Sequence, residues 1–484
     1  MAPQHGVFVY ELPTSVIAPV RTARAKVFIG TAPVHRSKNP EAVSNSQPFL
    51  AYSYAEAVQG LGFSSDWETW TLCEAIKSQF RLYAVAPVVF INVFDPTKNV
   101  TDVPGSELIV KNGKAEISDI NAIPSSIVVY TEEDGDLCAV NEDYILELTA
   151  EGLSITTIPG GLLFPATSLW VEYKVVDPST VTVTDVVGGV DGSTGARTGI
   201  EAIEDIFPKY RLVPDLIAAP GWDDTEVSIA LMAKAQKING LFKCMAVVDI
   251  PESAGASYRD IPSWKELSGL TSEYVVPCFG RLGLGSEVYH LSTQLVGLMG
   301  RVDADWGDVP FASPSNNGLK MDKFLWKGEE VLLGHDQANY VSSNGIVTAL
   351  NFIGGWRAWG NRTGAYPALT DPKDMWIPVR RMFNWFTTEL ILTYWQKVSL
   401  PIRGVLIDNI VSSLNNRLAG LAGAGYIIGG RMDWNQSENP LTNIIDGVIK
   451  FHIYMTSPPP AETIDFWIEY DPVYFEMLAT AISG

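Results

Sequence analysis

The chain has 484 residues, 46% hydrophobic and 18% charged, with a net charge of −21. That is apolar enough for packed cores and long enough for roughly three domains, which excludes a disordered chain. The acidic balance argues against direct wrapping of nucleic acid, because phosphate neutralisation needs a basic stripe. No apolar run reaches the ~20 residues of a bilayer span, and Pro3, His5 and Glu11 break the order of a signal peptide. A soluble protein kept in a cytoplasm is the expectation. Cys73, Cys138, Cys244 and Cys278 lie far apart without a C-x-x-C pair and read as buried free thiols.

Residues 5–12, HGVFVYEL, form a short β-prone run. With no local partner it pairs either as an edge strand of its own fold or with another molecule. RAKVFIGTAP then reads as a buried strand. Ser65 or Asp66 is expected to cap a helix with Leu72, Ile76, Phe80 and Tyr83 on its apolar face, and VVFINVF (88–94) is a second buried strand. This β-α-β grammar predicts a parallel or mixed sheet.

Between Pro96 and Val187 short strands alternate with turns: SSIVVY, ILELTA, LSITTI, LWVEYKVV and VTVTDVV. They predict an all-β insert, a small sandwich, with Trp170 as a core residue or a carbohydrate-stacking platform. Residues 101–200 hold 16 acidic and 4 basic side chains, so this segment reads as a solvated outer domain. The Gly188–Gly199 connector lacks a phosphate-binding pattern. DLIAAPG, a helix bearing Val227, Leu231, Ala235 and Ile238, FKCMAVVDIP and YVVPCFG then resume the α/β unit.

Signals for chemistry are weak. GRLGLG (280–285) has its glycines in the wrong order for a dinucleotide fingerprint. Asp303, Asp305 and Asp308 lack the glycine and distal glutamate of a calcium loop and read as solvated acids in a turn. The five histidines show no metal spacing, and no nucleophile elbow occurs. No enzyme activity, cofactor or metal is expected.

Two long helices are expected near the C-terminus. Trp376–Gln396 repeats Val379, Met382, Phe383, Phe386, Leu390 and Tyr394 on one face, with Pro378 in the first turn. Pro401–Leu421 repeats Leu406, Ile410, Leu414, Leu418 and Leu421 before Gly423 and Gly425. Ile449, Phe451, Ile453 and Met455 alternate as a half-buried strand, and Pro458–Pro460 forms an extended spacer. A second strand follows with Ile464, Phe466, Ile468 and Tyr470 on one side, and Asp471-Pro472 starts a short helix with Tyr474, Leu478 and Ile482. That last strand is either half of a hairpin or an arm leaving its own domain.

The WGNRT run (359–363), the Arg380-Arg381 pair opening a long aromatic helix, and the Pro-led helix after it resemble the contractile-tail sheath family. So do the APG turn (219–221), AKAQKINGLFKCMAVVDIP (233–251) and FASPSNNG (311–318), in that order. The resemblance covers most of residues 1–95 and 200–484. It implies a multidomain α/β (α+β) protein: an N-terminal extended arm (1–22), a discontinuous mixed-sheet α/β domain (23–95 and 188–350) interrupted by a β-sandwich-like insert (96–187), an α+β C-terminal assembly domain (351–462) and a C-terminal arm (463–484).

By the same resemblance, the chain is a structural subunit that polymerises around a tail tube and contracts to drive it through the host envelope for genome delivery. A bacteriocin or secretion-type sheath is the alternative, and a carbohydrate-binding or glycoside-processing protein is the alternative from another class. The implied inter-subunit residues are Val7, Phe8, Val9, Tyr10 and Glu11 in the N-terminal arm and Ile464, Phe466, Ile468 and Tyr470 in the C-terminal arm. Arg380, Arg381, Arg403 and Arg417 are candidates to face the tube. The implied partners are further copies of the chain in a helical or stacked-ring sheath, the tube protein, and baseplate and terminator proteins. Neither direct nucleic-acid contact nor membrane insertion is expected. The implied place is a virion tail assembled in the bacterial host cytoplasm.

Overall fold

A computed structural model describes residues 24–40, 46–98, 100–149 and 151–475. The central element is a six-stranded sheet. It contains β1 (Arg24–Gly30), β2 (Pro48–Ala51) and β3 (Val88–Asn92), with α1 (Tyr54–Leu61) and α2 (Thr71–Lys77) between the last two strands. Successive side chains of a strand point to opposite faces. Both faces here are apolar, so each strand serves two cores. Phe28 and Phe90 pack on one side, and Val27, Ile29, Val89 and Ile91 on the other. The predicted cap at Ser65 or Asp66 is not used: α2 begins at Thr71 and continues as a wider turn through Leu82.

The insert contains β4 (Val100–Ile109), β5 (Lys114–Ile117), β6 (Val128–Tyr130), β7 (Tyr144–Leu148), β8 (Leu153–Thr157) and β9 (Ser168–Val176). They form two three-stranded sheets, ordered β4-β9-β6 and β5-β8-β7. Ala115, Ile117, Val129, Ile155, Leu169 and Val171 fill the space inside this small unit. β4 was hidden by Pro104 and Gly105, which interrupt a strand pattern; the pairing with β9 slips there, between Val103 and Ser106. Trp170 is half-buried over Gly105, where an added Cβ would lie 2.4 Å from its indole nitrogen. The indole packs on its own sheet instead of standing free as a platform.

VTVTDVV is not a strand. Val183–Val187 is the short helix α3, whose start is held by the Asp185 carboxylate accepting from both the N–H and the hydroxyl of Thr182. After α4 (Ile206–Tyr210) come β10 (Val213–Ala218), α5 (Thr225–Gln236), β11 (Met245–Asp249), α6 (Ile261–Leu267) and β12 (Val275–Cys278). The sheet order is β12-β11-β10-β1-β3-β2, so the strands before the insert form one half of the sheet and those after it the other, joined at β1–β10. All neighbours are parallel except the β2–β3 pair.

β13 (Arg281–Leu284), β14 (Glu287–His290), α7 (Leu291–Asp305), β15 (Lys323–Trp326) and β16 (Glu329–Glu330) follow, the strands forming an antiparallel sheet. α8 (His335–Ser342) leads to the hairpin β17 (Thr348–Asn351) and β18 (Trp356–Trp359). The C-terminal unit contains α9 (Pro372–Met375), α10 (Ile377–Tyr394), α11 (Gly404–Gly423), β19 (Gly429–Asp433), α12 (Leu441–Ile445) and β20 (His452–Thr456). Met382, Phe386, Ile410, Leu414, Leu418 and Leu421 join α10 and α11 in one core. Gly425, at φ +79°, lets the chain turn out of α11 into β19.

Candidate assembly surfaces

The antiparallel pair β19–β20 rests on α11 through Asn415. Its amide donates to the Met432 carbonyl at 3.0 Å and its oxygen accepts from the Met432 N–H at 2.8 Å. Met432, Ile453 and Met455 turn towards the helices, and the Arg431 guanidinium lies 4.0 Å from the Tyr454 ring centre on the other face. Among the described residues no third strand joins this sheet, and Asn415 covers the β19 edge at Met432.

Beside it runs an apolar groove between the C-terminal half of α10, the middle of α11 and β20, lined by Leu390, Tyr394, Val398, Leu414 and Ile453 with Leu241 at one side.

The chain after β20 follows a different course from the predicted hairpin. Residues 457–471 contain no strand, and Phe466, Trp467 and Ile468 are 86%, 95% and 96% exposed. Asp471 does cap the turn that follows, accepting from the Val473 N–H at 3.0 Å. Leu478 and Ile482 lie outside the described residues, as does the whole N-terminal arm with Val7, Phe8, Val9, Tyr10 and Glu11.

The root of this segment is fixed by the WGNRT run. Thr363 N–H bonds to the Met375 carbonyl and Ile377 N–H to the Asn361 carbonyl, both at 2.9 Å, which fastens the run to the start of α10. The buried Lys265 ammonium donates to the carbonyls of Asn344 and Tyr366, each at 2.7 Å. In this frame the Arg362 guanidinium lies between Tyr366 and Trp376, 3.9 and 4.4 Å from their ring centres, and forms an ion pair with Glu462. The aromatic neighbours, Tyr366 four residues on and Trp376 at the helix start, were the available sequence signal for this clamp.

The candidate tube-facing arginines divide. Arg380 and Arg381 are 6% and 1% exposed and face the inside of the subunit, a correction to their reading as surface groups. Arg380 pairs with Asp374 at 2.8 Å. Arg381 reaches Asp303 at 2.5 and 3.0 Å and Asp215 at 3.0 Å, while Arg24 meets Asp215 at 2.5 Å and Asp303 at 3.5 Å. Burial alone pushes the Asp215 carboxyl up, but Arg24, Arg381 and Lys26 around it reverse this and hold it below the usual carboxylate range. Burial lowers the Lys26 ammonium. Asp303 is therefore no solvated turn residue. Arg417 pairs with Glu389 at 2.6 Å across α11 and α10, and Arg403, at the start of α11, is exposed.

Another polar cluster lies beyond the carboxyl end of β11. His290 Nδ1 is 2.7 Å from Glu74 Oε2, and Asp249 accepts from the Ser292 N–H at 2.9 Å and from its hydroxyl. The Ser292 hydroxyl is thus engaged by a carboxylate, not an imidazole. Burial pushes His290 down, and Glu74 more than compensates, raising it. All four cysteines are buried free thiols; burial pushes Cys73 up to about 12, so it is an inert group. Among the described residues no His, Cys, Asp or Glu group is arranged for a metal ion, and no helix is long and apolar enough to cross a membrane.

No protein-family model matches the chain. The tail sheath protein of Burkholderia phage BcepMu is 27% identical over 97% of each chain. The tail sheath protein of Escherichia phage P2 is 22% identical over 63% of this chain and 74% of its own. Among solved structures, the contracted sheath of the extracellular contractile injection system PVC superposes with a TM-score of 0.57 at 13% identity, covering 98% of this chain and 99% of the other. The contracted helical sheath of the anti-feeding prophage gives 0.56 at 14%, covering 97% and 99%. Over nearly its whole length this chain is similar to a phage tail sheath protein, and its fold is that of the solved contractile sheaths.

Proposed function

We propose that this chain is the tail sheath subunit of a contractile tail, which polymerises around a tube and contracts to drive it through an envelope for genome delivery. The observation that carries the reading is the end-to-end match to a phage sheath protein, with both chains covered to 97%. The open β19–β20 sheet and the unpaired segment 464–470 support a strand-exchange mechanism. The arms at both chain ends add strands to the sheets of neighbouring copies, and backbone hydrogen bonds hold this mesh while the bulkier units tilt as rigid bodies. In this mechanism the extended lattice is metastable, and a few kcal/mol per subunit, summed along the tail, drives the tube.

The likeness to injection-system sheaths favours a second reading, a bacteriocin or secretion-type sheath with the same mechanics and another payload. In either case the tube, baseplate and terminator are the partners, the particle tail is the place of action, and assembly is in the bacterial host cytoplasm. The role is structural, not enzymatic.

Negative-stain electron microscopy of the full chain beside one lacking residues 1–20 tests this. Hollow tubes of uniform width from the full chain, lost on truncation, are expected. Dispersed monomers from the full chain at high concentration would overturn the sheath reading.

A further inference from the structure

The insert is tied to the central sheet at one end and carries an apolar patch at the other. Arg36 bonds to the carbonyls of Thr149 and Gly152, which flank the turn between β7 and β8. From that turn the two strands pair outward, from Leu148–Leu153 to Tyr144–Thr157, about 14 Å at ~3.4 Å per residue. Two loops meet at the far end, 137–143 before β7 and 158–164 after β8. The Asp143 carboxylate fastens them to each other, accepting from the Ala139 N–H and the Leu162 N–H, both at 2.7 Å.

Each loop exposes large apolar side chains: Leu137 and Val140 on the first, Leu162 and Phe164 on the second, between 51% and 63% exposed. Apolar side chains scattered singly over a surface need no partner, but four on two loops joined by one carboxylate form a patch. Leu163, between the last two, turns into the core of the insert and holds that loop in place. The surroundings carry one sign of charge. Residues 115–173 contain eleven acidic side chains and no Lys, Arg or His. Glu132, Glu133, Asp134 and Asp136 lie just before Leu137, Glu142 lies just after Val140, and all five are exposed.

We propose that this tip is a docking surface for a different protein, which binds through a segment combining Lys or Arg with apolar side chains. The apolar groups supply the burial, with Phe164 as the aromatic anchor, and the acidic rim steers cations in and turns acidic surfaces away. Charge decides against a second copy, because each copy brings a net −21 and sets this rim against like charge. Nucleic acid and anionic membranes are disfavoured for the same reason. The proposal adds a partner to the sheath reading and does not depend on it.

Fluorescence anisotropy of a short labelled peptide alternating lysine and leucine, titrated with the dispersed full chain, tests it. Leu162→Ser/Phe164→Ser is expected to weaken binding about tenfold, since the anchor is lost. Leu137→Ser/Val140→Ser does the same and serves should the first variant fail to fold. Glu133→Lys/Asp136→Lys weakens binding and flattens its dependence on salt. Leu267→Ser, at an exposed site on α6, leaves binding unchanged.

No binding by the native chain, or equal affinity in the native chain and both serine variants, would overturn the proposal. So would equal affinity for a peptide with serine in place of leucine, which is attraction to acid alone. Sedimentation velocity of the same variants covers the other occupant. If the serine substitutions release copies from one another, the patch joins copies of this chain and the proposal falls.

Discussion

Arg381 of α10 and Asp303 at the end of α7 form a two-point guanidinium–carboxylate pair, 2.5 and 3.0 Å long, with both side chains at most 2% exposed. Asp215 of β10 shares the same guanidinium, so one arginine joins the first long helix of the C-terminal unit to the central sheet. Removing it leaves two buried carboxylates with only Arg24 and Lys26 to balance them. Arg381→Met is expected to cost about 3–5 kcal/mol, as loss of one partner from a buried pair does. Arg381→Lys loses the fork and is expected to recover only part. Urea unfolding of the dispersed subunit reads both; an unchanged midpoint for Arg381→Met would contradict the account.

A different contact joins the insert to the sheet and is sensitive to acid. His35 Nε2 lies 3.0 Å from the Ile120 carbonyl, and the Arg36 guanidinium reaches the carbonyls of Thr149 and Gly152. Burial pushes His35 down to about 4, with the Ile120 bond opposing this and Arg36 adding to it. The unfolded chain therefore binds more protons than the folded one between about pH 6.5 and 4. Stability contributed by neutral His35 is present above that window and is lost as pH falls through it. The urea midpoint is expected to drop over this range in the native chain. The drop shrinks in His35→Gln, which keeps a donor without a titrating charge. Equal slopes in the two proteins would remove His35 from the explanation.

Of the four arginines offered as tube contacts, Arg403 is the exposed one. Arg403→Glu is expected to leave subunit stability within about 0.5 kcal/mol, as surface substitutions do. If this face meets the tube, the charge reversal lowers the salt concentration at which tube and sheath separate in a co-sedimentation assay. Leu418→Ala, at a fully buried position between α10 and α11, is the contrasting case, with an expected loss of about 2–5 kcal/mol.

Much of this fold was legible in local pattern. The faces of α10 and α11 followed from helical spacing, and β1, β3, β10 and β11 from short apolar runs. VTVTDVV failed because β-branched composition was weighed above the Thr182/Asp185 pair, which is itself a sequence signal. β4 failed because Pro104 and Gly105 are tolerated at a bulge. The pairing of Arg381 had no local signature at all: Asp303 and Asp215 lie 78 and 166 residues away, and only the folded chain brings them together. The apolar alternation in 464–470 was legible, but alternation alone does not say whose sheet a strand joins.

That last point separates folding from assembly. The side chains of Ile464, Phe466, Trp467, Ile468 and Tyr470 are 69–96% exposed and contribute little to the core of their own subunit. Ending the chain after Thr463 keeps Glu462 and the clamp while removing these groups. The shortened subunit is expected to unfold within about 0.5 kcal/mol of the full chain, since surface groups outside packed cores contribute at that level. It is also expected to stay dispersed at concentrations where the full chain forms tubes, because each missing segment removes a contact from every neighbouring pair. Parallel urea titration and negative-stain microscopy decide the matter. A lower midpoint would mean that the segment packs on its own subunit in solution, and tubes from the shortened chain would mean that the lattice is held without it.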